Sequence, residues 1–594
     1  MDSGYIMSVA GVQQLLSKPG KDPRILTVIV CGSAAAVLAL KWLERKRIRN
    51  NLKKARQKRD ESLKELQEAV LRFKKQNPGI DCGSILTLSL FELTEKLKEG
   101  SLSPESVLCA YMEKTLEANE KVNCVTAFLP DCENHLQEVK TEKQKGLLYG
   151  VPISLKEHIA YKGSASPCGL AFFLNVLESQ DSVIVQVLKK QGAVPFVKTN
   201  VSQSTLNYDC SNSVFGQTLN PLNPKKTPGG SSGGEGALIA NGGSILGIGS
   251  DTGGSIRLPA SFCGLCGLKP TAYRLSPSGV TGPASGILSV PTVLGPMARD
   301  VDSLALCMKA LLCDHMFHLD PTVPPVPFRD QLYSRTDLLK IGYYDTDGFF
   351  LPPPSMRRAF LETKQLLEAA GHELILFVPP RVDYVLNEFF IRGLFADGAS
   401  TLLEKFDVDI VDPSLKEQIF LYRLPHLAKS IMAFLLKPLF PRLANYYRSH
   451  CGVRSVQELW RLQTAIQTYC QEFITEWRRL DLDVLLCPML GPAFNIGYPG
   501  KLFAGISYTM LYNVLNFPAG VVPVTRVTEE DEDALRYYKG HYNDAWDRTL
   551  KKAVEGGVGL PVAVQCVALP WQEELCLRFM KEVEMVTQEK RTKK

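Results

Sequence analysis

Two stretches rich in glycine and serine hold the residue types best suited to chemistry. The first is Pro228-Gly-Gly-Ser231-Ser-Gly-Gly-Glu-Gly236, and the second is Gly247-Ile-Gly-Ser-Asp-Thr252-Gly253-Gly254-Ser255-Ile-Arg257. A serine hydroxyl becomes an acyl-transfer nucleophile when a base takes its proton. Glycine lets the backbone adopt positive φ or approach a ligand closely. A flexible Gly/Ser linker is a poor reading, because each stretch abuts an apolar run, residues 237–240 and 245–248. A phosphate-binding loop needs Gly-Lys-Ser/Thr, which neither stretch contains. Gly229-Gly-Ser231-Ser-Gly233 matches the G-x-S-x-G nucleophile elbow, which requires a strand before it. Pro221, Pro224 and Pro228 make the preceding segment a loop instead. None of the eight histidines can be assigned to a His–acid pair.

The elements that must position these stretches alternate between strand and helix. Residues 193–198, 245–248, 483–487, 521–525 and 562–567 read as short buried strands, and a helix containing Ile184, Val187 and Leu188 precedes the first. This alternation predicts an α/β fold with a largely buried sheet. Residues 87–116 read as two helical stretches around Glu99-Gly100-Ser101, with Ser103 as N-cap and Pro104 in the first turn. Residues 529–533 read as an acidic loop.

Charge is clustered. The chain has 594 residues and a net charge of +6, and ten Lys/Arg against one acid lie between Lys41 and Arg59. The rest is near neutral, which argues against a nucleic-acid partner and for a juxtamembrane block. Before it, residues 25–40 are uncharged, and Trp42 and Leu43 extend them. A span over 25–43 is short but workable if Lys41 snorkels. A cleaved signal peptide fits less well, because the leading segment is long and no small-x-small site follows. The basic excess after the span predicts a cytosolic catalytic body. Sixteen scattered cysteines read as reduced thiols, and Cys263-Gly-Leu-Cys266 has no second pair to make a zinc site. From residue 45 to about 75 a linker helix carries the stripe Leu63, Leu66, Val70 and Phe73, which must meet the body or a partner subunit. Residues 424–448 hold Leu427, Ile431, Phe434, Leu435, Leu439 and Phe440, interrupted by Lys429, Lys437 and Arg442 and split into two short helices by Pro438 and Pro441. This is either a buried hairpin or an interfacial cap.

Gly150-Val-Pro-Ile-Ser-Leu-Lys156-Glu, GGSSGGEGA and GSDTGGSIRLPA together resemble the amidase signature, over about residues 86–580. Lys437-Pro-Leu-Phe-Pro-Arg-Leu443, Phe517-Pro-Ala-Gly-Val-Val-Pro523 and the segment from Gly559 to Trp571 are similar to its membrane-anchored vertebrate branch, the fatty acid amide hydrolases. The resemblance implies a mixed twisted central sheet surrounded by helices. It also implies a tail over 1–24, a transmembrane helix over 25–43, a basic linker over 44–85, a catalytic domain over 86–588 and a membrane cap at 424–448. It implies a Ser–Ser–Lys triad in which Ser255 attacks, Ser231 relays the proton and Lys156 is the base. The N–H groups of Thr252, Gly253, Gly254 and Ser255 would form the oxyanion hole, and Thr205, Tyr208 and Phe395 would line the substrate site. Thr205 and Thr252 replace larger apolar residues of the family, and residues 276–288 also depart. Tyr446 would gate the cap, and Trp546 would sit near a polar exit. The implied substrates are long-chain amides such as anandamide and oleamide. The implied setting is an internal membrane such as the endoplasmic reticulum, and the implied assembly is a homodimer. No metal or organic cofactor is expected. A glutamine-using amidotransferase subunit or a soluble amide hydrolase, an inert membrane scaffold and a lipid carrier are the competing readings. The first two enzymes would require neither the anchor nor the apolar hairpin, and the scaffold and the carrier would not require the triad.

Overall fold

Strands buried on both faces read as continuous apolar runs, because helices cover the sheet on either side. The computed structural model describes residues 23–77, 79, 81–284 and 286–592, without the side chains of 23–32, 34 and 590–592. The expected tail therefore lies outside the described residues up to residue 22. The described residues form thirteen strands: β1 (Val125–Phe128), β2 (Pro152–Lys156), β3 (Val194–Thr199), β4 (Ser211–Asn212), β5 (Gly216–Gln217), β6 (Leu246–Asp251), β7 (Cys266–Lys269), β8 (Val293–Ala298), β9 (Lys340–Tyr343), β10 (Glu373–Leu376), β11 (Val484–Pro488), β12 (Ala519–Arg526) and β13 (Pro561–Val567). Eleven form one mixed sheet, in the order β1-β3-β2-β6-β8-β7-β12-β13-β11-β9-β10. β2 runs parallel to both β3 and β6, whereas β6 pairs antiparallel with β8. The five strands read from sequence are all present with shifted ends. β8 was illegible because Gly295 and Pro296 interrupt it, yet Pro296 pairs in register with Ile248.

Residues 529–533 correct the sequence reading. They open a helix, Glu529–Leu535, rather than a loop. Thr528 and Asp531 form a reciprocal capping box, and four acids occupy the first turn, where the helix dipole favours negative charge. Helices Leu90–Glu99 and Pro104–Val122 meet the break as read, with Gly100 left-handed at φ 79° and Ser103 capping the N–H of Ser106, but the first starts three residues later than read and the second runs six residues further.

The expected span and linker are a single helix, Pro23–Gln76, with no break between them. Residues 35–47 are exposed. Among the described residues no single helix is long and apolar enough to cross a membrane, and much of the expected span falls on residues whose side chains lie outside the description. The stripe packs on the catalytic body. Leu66 and Val70 are buried in the main core, and Leu63 and Phe73 pack against it. Arg56 Nε donates to the Val214 carbonyl at 2.7 Å, and the Phe128 N–H donates to Ser62 Oγ at 2.7 Å. The stripe is therefore used within the chain.

The hairpin consists of helices His426–Leu436 and Pro441–Ser449. Leu427 (70% exposed), Ile431, Phe434 (76%), Leu435 and Leu439 (77%) face outward. Of the three basic residues that interrupt its apolar run, Lys429 and Arg442 face inward, as in a buried hairpin, and do not flank the outward apolar face. Lys429 Nζ donates to the His450 carbonyl at 3.0 Å. Arg442 is buried, paired with Asp544 at 2.6 Å and Asp547 at 3.1 Å, and lies over the rings of Phe350 and Tyr542. Tyr446 is also buried, edge-on to Trp546 at 5.5 Å, and is not part of the outward face.

The C-terminal helix Glu573–Thr592 is held by Arg274, which donates to Glu573 at 3.0 Å and Glu574 at 2.8 Å, all three groups being buried. Removing one partner of a buried pair strands the other charge, at a cost of about 3–5 kcal/mol. Arg274→Ala is expected to lower unfolding free energy by about that amount in a urea titration. Arg335→Ala, which breaks an exposed pair with Asp337, should stay within about 1 kcal/mol of wild type.

Candidate active site

Lys156 closes β2, whose five residues are all buried. Its hydrogen-bond partners are two hydroxyls and a carbonyl: Ser231 Oγ at 2.7 Å, Ser250 Oγ at 2.8 Å and the Ser250 carbonyl oxygen at 3.4 Å. Burial pushes its pKa down to about 7, against the pull of Asp251. The acids around it are engaged elsewhere. Asp251 pairs with Arg257 at 3.0 Å. Glu235 accepts from Ser154 at 2.5 Å and Thr199 at 2.8 Å, and burial pushes its own pKa up to about 7.

Ser231 lies just before helix Gly233–Ala240, and Ser255 just before helix Arg257–Cys263. The two glycine-serine stretches are joined directly. The Ser232 N–H donates to the Ser255 carbonyl at 3.2 Å, and the Ser250 N–H donates to Ser232 Oγ at 3.3 Å. Lys156 and Ser231 are thus brought into contact. The hydroxyls of Ser231 and Ser255 are not hydrogen-bonded to each other, and Ser255 is half-buried.

Asp251 shapes the turn that carries Ser255. Its carboxylate accepts the N–H groups of Gly254 (2.8 Å), Ile256 (3.1 Å) and, more weakly, Arg257 (3.5 Å). Burial opposes its charge, but the Arg257 guanidinium and the Asn513 amide outweigh that and hold its pKa well below the usual carboxylate range. The N–H groups of Thr252, Gly253 and Ser255 make no hydrogen bond within the described residues. The turn therefore offers three free donors rather than the expected four, since that of Gly254 is committed to Asp251. Gly254 sits at φ 131°, and a Cβ there would fall 2.5 Å from Thr509 Oγ1. Thr509 Oγ1 in turn donates to the Gly253 carbonyl at 2.5 Å.

Two cavities meet at this turn. The larger, about 310 Å³, is lined by Ser231, Ser250, Phe395 and much of the 276–288 loop. The smaller, about 40 Å³, is lined by Ser255, Gly253, Tyr208 and Phe390. Thr205, Leu206, Thr252 and Leu394 line both. Thr205 and Thr252 thus stand at the junction of the two cavities. Tyr208 is held by its hydroxyl, which donates to the Leu502 carbonyl at 2.5 Å. Trp546 lines neither cavity and packs on Phe349, Phe350 and Tyr446.

Sequence reading missed His158, Ser250 and the Asp251–Arg257 pair. The pair had a legible signal, two opposite charges six residues apart within a glycine-rich turn. His158 had only its place two residues after Lys156.

The amidase family model matches residues 106–577. Over 556 residues, 94% of this chain and 95% of the relative, the sequence is 53% identical to fatty-acid amide hydrolase 1 of Sus scrofa. It is 57% identical over 460 residues to the vitamin D3 hydroxylase-associated protein of Gallus gallus, covering 77% of this chain and 99% of that protein. A solved fatty acid amide hydrolase matches with a TM-score of 0.75 at 26% identity, over 91% of this chain and 95% of that one. With a buried lysine beside paired glycine-serine turns, and with these relatives along nearly its whole length, the chain belongs to the amidase family and is an amidase.

Proposed function

We propose that this amidase hydrolyses long-chain fatty acid amides through an acyl-enzyme, with Ser255, Ser231 and Lys156 as a relay. The observation that carries the reading is a lysine buried among hydroxyl and carbonyl groups, 2.7 Å from Ser231 Oγ, whose pKa burial pushes down to about 7. A neutral amine is a base. Rotation of the half-buried Ser255 side chain brings its hydroxyl to Ser231. Ser255 Oγ then bonds to the amide carbonyl carbon, its proton passes to Ser231, and the Ser231 proton passes to Lys156. The N–H groups of Thr252, Gly253 and Ser255 receive the oxyanion. The proton returns from Lys156 through Ser231 to the leaving nitrogen as the C–N bond breaks. Water, deprotonated by the same relay, then releases the fatty acid.

The lipid substrate class is supported by the relatives' names and by the outward apolar face of the hairpin. Contiguous exposed apolar patches of this kind mark interaction sites. We infer that this face rests on a bilayer and admits lipid amides, with the helix over 25–43 as an anchor and the catalytic body on the cytoplasmic side of an internal membrane.

Four outcomes are expected. Ser255→Ala in detergent should lower release of free fatty acid from oleamide and anandamide by about 10⁴-fold or more, and wild type inert on both amides would refute the substrate class. Lys156→Ala should lose roughly 10²–10⁴-fold on the amide and less on the matching ester, whose leaving group needs no proton from it. Because the base form of Lys156 grows as pH rises through about 7, wild-type kcat/KM should climb with pH and level off above that value. A profile flat from pH 5 to 9 would remove lysine from the role. Phe434→Asp with Leu439→Asp should raise KM for oleamide presented in vesicles more than for a short water-soluble ester.

A further inference from the structure

His158 lies two residues beyond Lys156 and connects back to it. Its Nδ1 is 2.7 Å from the carbonyl oxygen of Thr281, and its Nε2 is 2.8 Å from Ser250 Oγ. A carbonyl only accepts, so Nδ1 carries the ring proton. The ring is neutral, because burial pushes its pKa down to about 3. Nε2 is then a lone-pair acceptor, and Ser250 must donate its hydroxyl hydrogen to it. With that hydrogen spent, Ser250 Oγ faces Lys156 only as an acceptor.

The consequence falls on the amine. Neutral Lys156 has two N–H groups and one lone pair. Ser250 Oγ takes one N–H at 2.8 Å, and the Ser250 carbonyl takes the other at the longer 3.4 Å. The remaining direction, toward Ser231 Oγ at 2.7 Å, is left to the lone pair. We propose that His158 is a positioning residue for Lys156, acting through Ser250 to keep the amine lone pair aimed at the Ser231 hydroxyl. Without the imidazole, the Ser250 hydroxyl is free to turn and donate to Lys156 itself, occupying the lone pair that the relay uses. The anchor of the chain is the Thr281 carbonyl, which also accepts from Cys168 Sγ at 3.2 Å. Thr281 belongs to the cavity-lining loop 276–288, so the placement of that loop sets the tautomer of His158 and, through Ser250, the direction of the lysine lone pair.

The inference rests on the Ser–Ser–Lys reading, and a double-mutant cycle separates the two. Wild type, Lys156→Ala, His158→Ala, Ser250→Ala, the His158→Ala/Ser250→Ala double variant and His158→Gln are compared on oleamide and on the matching ester across pH. Melting temperatures are measured alongside. His158→Ala should lower kcat on the amide by about tenfold or more, and less on the ester. The double variant should be no worse than Ser250→Ala alone, since residues acting through one hydrogen bond are not additive. His158→Gln, whose amide oxygen can accept from Ser250, should recover most of the loss. Additive losses, equal losses on both substrates, or an unchanged His158→Ala overturn the inference. If additive losses accompany an inactive Lys156→Ala, the triad stands and only His158 is misassigned. If Lys156→Ala keeps full amide turnover, the triad and the inference fall together. Should the alanine variant fail to fold, His158→Gln against His158→Leu makes the same comparison, an acceptor against none, and Leu matching Gln overturns the proposal.

Discussion

Taking an ammonium group out of water costs several kcal/mol, and Lys156 has no exposed surface at all. Its surroundings meet that cost by letting the amine lose its charge. The groups that touch it are hydroxyls and a carbonyl, which bind a neutral amine well and do not demand an ammonium. The two acids near enough to charge it are withheld by other partners, Asp251 by Arg257 and Glu235 by two hydroxyls and its own burial. A free carboxylate against Lys156 would favour the charged form. The lysine would then be a donor only, with no lone pair to accept a proton.

The carboxylate kept from the lysine is put to a second use. Asp251 gathers the N–H groups of its own turn, and Arg257, which holds it, reaches far across the chain. Its guanidinium donates to the Thr509 carbonyl at 2.9 Å, Asn513 Oδ1 at 2.5 Å and Gln565 Oε1 at 2.7 Å. The local shape of the nucleophile turn is therefore fixed by helix Ser507–Val514 and by β13, more than 250 residues away. Buried ion pairs are weak evidence for stability as such. Here the pair's evident role is geometric, since it orders a turn rich in glycine that would otherwise be the most deformable part of the site.

What the sequence made legible was local. The glycine-serine turns, the helix caps at Ser103 and Gly100 and the buried strands follow from neighbours within a few residues. The same holds for the two prolines that divide the hairpin. What it hid depended on distant partners. Arg442 and Lys429 read as surface cations because nothing nearby shows that Asp544 lies 102 residues on or that the His450 carbonyl waits within the core. The role of His158 depends on a carbonyl 123 residues later. The helix at 529–535 is the exception, since Thr528 and Asp531 were an adjacent signal outweighed by the run of acids.

The long helix has a consequence of phase. Each residue adds about 1.5 Å of rise and about 100° of rotation. Its exposed stretch over residues 35–47 and its docked stripe from Leu63 to Phe73 belong to one helix without a hinge. The segment between them is thus a keyed shaft and not a tether. Deleting one residue there would shorten it trivially, yet would turn Val37, Leu38 and Trp42 by more than a quarter circle relative to the catalytic body. Only changes close to whole turns would preserve the alignment, so the number of residues in this segment sets which way the body faces.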